Sequence, residues 1–63
     1  MAYWDFYDTG SGKILEKERA IFKIAMPAEG ALVTYIPGKL NAVVRSFRFS
    51  RIVKGLPCYD VYV

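Results

Sequence analysis

A lone cysteine, six acidic side chains and no histidine are the raw material for chemistry in these 63 residues. Without histidine the commonest general base near neutral pH is missing, and so is the commonest metal ligand. One thiol cannot build a structural zinc site, so neither a metal nor a cofactor is expected. As a nucleophile Cys58 would need an activating base, and none stands near it in sequence. Cysteine is among the most buried residue types. Cys58 therefore reads as a small apolar residue in a strand.

The acids offer two pairs. Asp5 and Asp8 flank Phe6 and Tyr7, and Glu16 and Glu18 lie one strand-step apart. Paired carboxylates do acid–base work when burial separates their pKa values. Both pairs stand beside a turn or among lysines, where water solvates them, and a structural role is expected instead. The run Asp8-Thr9-Gly10-Ser11-Gly12-Lys13 has a superficial likeness to a phosphate-binding loop. That motif requires four residues between its first glycine and a Gly-Lys-Ser/Thr ending that opens a helix. Here one residue separates the glycines, and isoleucine follows the lysine. A hairpin turn accounts for it better. No catalytic residue emerges, and the chain is read as non-enzymatic.

Two sets of side chains remain as binding candidates. Arg45, Arg48, Arg51 and Lys54 fall within ten residues, interleaved with Phe47 and Phe49. Arginines beside exposed aromatics form platforms on which unpaired bases stack while the cations follow the phosphates. On a regular strand, however, Arg45 and Arg51 face one way and Arg48 and Lys54 the other. No single basic face results unless a bulge shifts the phase. Tyr3, Tyr7, Tyr35 and Tyr62 form the second set, suited to contact with a protein because tyrosine is apolar along its ring and polar at its tip.

Composition favours the second set. A chain this short buries only roughly 60% of the surface its unfolded form exposes, yet 54% of its residues are hydrophobic and 16% aromatic. Surplus apolar surface of this kind marks an interface. A homo-oligomer, most simply a two-fold dimer, is the expected outcome, with another protein as a possible partner. The net charge of +3 favours solubility and loose attraction to polyanions, so nucleic acid is the alternative ligand. A single cysteine, no secretory pattern at Met1-Ala2-Tyr3-Trp4 and no apolar run near the ~20 residues of a membrane span together indicate a cytoplasmic protein without membrane contact.

The elements that must carry these side chains are short strands. Turn chemistry recurs at Asp8–Gly12, Pro27–Gly30, Pro37-Gly38 and Lys54-Gly55, the third with proline and glycine as a type II turn requires. Between the turns lie residues that favour a pleated surface: Tyr3–Tyr7, Ala20–Ile24, Ala31–Ile36 and the alternating run to Val63. Asn41–Lys54 carries helix-like end signals, but its apolar residues scatter around a helical wheel while arginines cut across them. It is read as a strand, bent by a bulge near Ser46 or Ser50.

The expected fold is a single all-β domain spanning residues 1–63. It is drawn as a small five-stranded barrel or strongly curled antiparallel sheet, with at most a short helical turn. Glu29-Gly30-Ala31-Leu32-Val33, followed by a strand, a Pro-Gly turn and a long strand, resembles the meander of SH3-like barrels in its pattern of strands and turns. The expected core is Trp4, Phe6, Phe22, Ile24, Val33, Val43, Phe47 and Val61.

Overall fold

The computed structural model describes residues 1–22, 26–34, 36 and 41–63. The expected Pro37-Gly38 turn, Ile24 and Tyr35 lie outside the described residues. Six strands run along the chain: β1 (Ala2–Tyr7), β2 (Ile14–Ile21), β3 (Leu32–Val33), β4 (Ala42–Val43), β5 (Ser46–Val53) and β6 (Leu56–Tyr62). No helix occurs among the described residues, so none is long and apolar enough to cross a membrane.

Two hairpins built by local turn chemistry dominate. Between β1 and β2, the Asp8 carboxylate accepts from the Ser11 backbone N–H at 2.8 Å and from the Ser11 hydroxyl at 2.9 Å. Gly12, at φ 74°, closes that loop by donating to the Asp8 carbonyl. Between β5 and β6, Lys54 and Gly55 have φ of 52° and 79°, and Val53 pairs with Leu56. Two central residues at positive φ make this a two-residue turn whose twist matches its strands.

The hairpins join through their first and last strands. β1 pairs with β6 in parallel, from Tyr3–Cys58 to Tyr7–Tyr62, and the sheet order is β2-β1-β6-β5. Val63 extends the junction by donating to the Tyr7 carbonyl and accepting from the Thr9 N–H. Strands β3 and β4 form a separate two-stranded sheet, held also by Val44 N–H to the Ala31 carbonyl at 2.9 Å. Val44 and Arg45 alone separate β4 from β5, so the chain passes directly from the small sheet into the large one.

This corrects the expected architecture. The fold is all-β, but it is neither a barrel nor a strongly curled sheet, and the SH3-like antiparallel meander is absent. That expectation paired each strand with its neighbour in sequence. The parallel β1–β6 pair instead makes a four-stranded mixed sheet with β2 and β5 outermost, open at both edges among the described residues.

One face of the sheet carries the core. Ala2, Trp4, Phe6, Ile21, Val61 and Val63 pack with Val33, Ile36, Ala42 and Val44, and Phe47, Tyr59 and Leu15 lean on them. Four expected core residues hold: Trp4, Phe6, Val33 and Val61 are buried, and Phe47 is half-buried. Two do not. Phe22 is 74% exposed, because Ile21 pairs with Ala2 and takes the inward position, and a one-residue change of phase turns every side chain over. Val43 faces outward because the Val33–Ala42 pair supplies the inner face of the small sheet.

Candidate interaction surface

The other face of the large sheet is polar. Opposed residues on paired strands point the same way. The registers therefore gather Tyr3, Asp5 and Tyr7 from β1 with Cys58, Asp60 and Tyr62 from β6. From β5 the same face receives Ser46, Arg48, Arg51 and Val53. The register shift between Phe49 and Arg51 makes this possible. Ser50 is the extra residue of a bulge, and it brings Arg48 and Arg51 to one side despite their odd spacing. Beyond the turn, the Lys54 ammonium lies 5.9 Å from the centre of the Tyr3 ring. Arg45 is exposed, its N–H donating to the Tyr62 carbonyl at 2.7 Å.

Carboxylates meet the two arginines of this face. Arg51 bridges Asp5 at 2.8 Å and Glu18 at 2.7 Å. Glu18 reaches Asp5 a second time, its backbone N–H donating to Oδ1 at 2.6 Å. Its φ of 52° and the irregular register between Trp4 and Phe6 mark a second bulge, which aims that N–H at the carboxylate. Arg48 meets Asp60 at 3.2 Å with 71% of its side chain exposed, a geometry of small energetic value. Glu16 pairs with Arg19 at 3.1 Å. The reading of the pairs Asp5/Asp8 and Glu16/Glu18 as water-solvated fails for Asp5, which is only 1% exposed. Asp5 is buried because β1 is central and Arg51, 46 residues away in sequence, covers it.

The electrostatics follow from this packing. Burial alone would raise the pKa of Asp5, but hydrogen bonds from Arg51 and from the Glu18 N–H outweigh it and hold the carboxyl below its ordinary value. Burial pushes the Cys58 thiol up, and the Asp5 charge adds to it. Burial, then the charges of Asp60 and Asp5, likewise raise Tyr7. A carboxylate held below its ordinary pKa by its donors is a poor proton acceptor, and a buried thiol with a raised pKa is a poor nucleophile. In the glycine-rich loop, the Asp8 carboxylate takes up donors that a phosphate would need.

The tyrosines expected to be exposed are half-buried at Tyr3, Tyr7 and Tyr62. Tyr7 and Tyr62, opposite in register, stack with ring centres 5.1 Å apart at 22°. Each has neighbours within its own sheet, which is why less of it reaches solvent than its side-chain type indicates.

Sequence reasoning missed where the open apolar surface lies. Strand β6 is central, so the alternating run to Val63 forms no edge of the large sheet. The edges are β2 and β5. Phe49 is 56% and Ile52 62% exposed, both on the core side of β5 beyond the covered part of the core. Phe49 stands edge-on to Tyr59, the ring centres 6.1 Å apart. On the outer face of the small sheet, Leu32 and Val43 form a second exposed apolar pair. The signal for the first patch was the bulge at Ser50, since only a shifted phase puts Phe49 and Ile52 on one side. Comparison with protein-family models, with curated proteins and with solved structures found no match.

Proposed function

We propose that this chain is a small non-catalytic interaction module, cytoplasmic, whose main ligand is a second copy of itself or another protein. The observation that carries the reading is the β5 edge. Eight residues of strand run along it with no partner on the outer side among the described residues, and Phe49 and Ile52 stand exposed beside them. Open edges with apolar flanks are templates for pairing with another chain. Tyr3, Tyr7 and Tyr62 add contact area on the opposite face. Sedimentation equilibrium at micromolar to millimolar concentration tests it. More than one subunit is the expected mass, and Phe49→Asp should lower it. A monomer throughout the range, binding no protein, would remove the reading.

A second reading is a nucleic-acid-binding module using Arg45, Arg48, Arg51 and Lys54. The bulge at Ser50 favours it by uniting Arg48 and Arg51 on one face. Asp5, Glu18 and Asp60 weigh against it, because they already neutralise those two cations. Titration with single-stranded and duplex DNA at two salt concentrations separates the readings, since phosphate contacts weaken steeply as salt rises.

A further inference from the structure

Of the two edges open among the described residues, one is blunted. Strand β2 carries two register irregularities and the charged run Glu16-Lys17-Glu18-Arg19. Bulges and charges are the devices that stop a strand edge from recruiting another chain. Strand β5 has one bulge, and its exposed apolar side chains lie on the side away from its arginines. From this asymmetry we infer that two copies of the chain associate through β5 alone, antiparallel about a two-fold axis, in the register that sets Phe49 opposite the partner's Ile52. This deepens the self-association reading and rests on it.

The register follows from faces and charges. An antiparallel partner must present like faces to like. With Phe49 opposite the partner's Ile52, symmetry sets Ile52 opposite the partner's Phe49, so both exposed apolar side chains are covered at once. Arg48 then meets the partner's Val53, and both lie on the polar face. The bulge residues Ser50 and Arg51 straddle the axis and face the partner's Arg51 and Ser50. Two residues separate the matched pairs on each strand, so the two bulges compensate. Centring the pair on Phe49 instead sets Arg51 against the partner's Phe47, charged face to apolar face. Sliding the strands two residues from the favoured register sets Arg48 against the partner's Arg51, like charge to like charge. The favoured register avoids both conflicts.

An isologous β5 contact also closes. Two four-stranded sheets become one of eight strands, with only the blunted β2 edges outermost. Pairing β5 with the partner's β2 would leave a free β5 at one end and grow into filaments.

Cross-linking reads this register. In a Cys58→Ala background, Phe49→Cys and Ile52→Cys are prepared as separate single variants, each altering one exposed side chain. A disulfide needs Cα atoms about 4–7 Å apart. Like positions on the two strands would lie three residues out of register, about 10 Å at ~3.3 Å per residue. Under mild oxidation each variant alone should remain uncross-linked, and the equimolar mixture should convert most of the chain to a covalent dimer. Arg48→Cys mixed with Val53→Cys should behave the same way and guards against a local effect of either apolar replacement. Sedimentation of the Cys58→Ala parent separates the two levels of failure. A dimeric mass with cross-linking in a single variant, or in neither mixture, overturns the β5 register while leaving self-association intact. A monomeric mass at millimolar concentration overturns both.

Discussion

Trp4 shows how one side chain can be both the anchor of this core and its flaw. It is 1% exposed and packs edge-on against Phe6 at 5.9 Å, yet its indole N–H has no hydrogen-bond partner among the described residues. A buried donor left unpaired costs about 1–3 kcal/mol. Trp4→Ala should nonetheless destabilise by about 3–5 kcal/mol, because the lost ring burial and the cavity outweigh the relieved donor, as in large core truncations. Trp4→Phe, which removes the orphan donor and keeps most of the ring, should cost at least ~1 kcal/mol less. Urea unfolding of the two variants checks the order, and equal losses would contradict it. Asp5 governs the acid limb. Its folded pKa lies below its unfolded value near 3.8, so its contribution is complete above that pH and drains away as pH falls through the lower folded value. Asp5→Asn should flatten stability against pH in that window, as followed by urea midpoints between pH 5 and pH 2. Arg51→Ala should lower stability by less than the loss of a fully buried pair does, because Arg51 is 36% exposed and water can replace part of its role.

At the scale of elements, what could be read in advance was local. Turn residues fixed the Asp8–Gly12 and Lys54-Gly55 hairpins, the alternation through Val61 located β6, and β-branched and aromatic content marked Asn41–Lys54 as extended, though it divides into β4 and β5 rather than forming one strand. What could not be read depends on partners distant in sequence. The parallel β1–β6 pair joins segments more than fifty residues apart, and no local signal announces it. Ile21 rather than Phe22 entered the core because Ile21 stands opposite Ala2 on β1, a pairing that β2 does not announce in its own sequence. The Arg51–Asp5–Glu18 cluster, likewise, required both the β1–β6 pairing and the Ser50 bulge before its members met. Gly55 tests the local part. At φ 79° it has open space where a Cβ would go, so replacement meets conformational strain and no clash. Gly55→Ala should cost about 1 kcal/mol through strain in the turn. Lys54→Asn, placing at φ 52° a residue that tolerates that region, should be neutral or stabilising by a few tenths of a kcal/mol. Thermal unfolding at one fixed concentration compares them.

For the whole molecule, the apolar surplus and the open edge converge on one thermodynamic signature. A domain of this size has little stability to spare, and whatever binds only its folded form adds to that stability by mass action. If the second copy is that ligand, Tm must depend on total protein concentration. Tenfold more protein adds at most about 1.4 kcal/mol per dimer where association is tight, or about 0.7 kcal/mol per chain. For a 60-residue domain that is a rise of roughly 3–6 °C in Tm. Phe49→Asp and Ile52→Asp place a charge on the strand edge outside the core, so both should abolish the dependence and leave the Tm at the dilute limit nearly unchanged. Lys17→Ala on the blunted β2 edge should leave the full dependence in place. Salt adds a second check, because each copy carries a net charge of +3 and screening that repulsion should strengthen the dimer. A Tm that is flat with concentration in the parent would mean that Phe49 and Ile52 remain in water, and that the stability of this fold resides wholly within one chain.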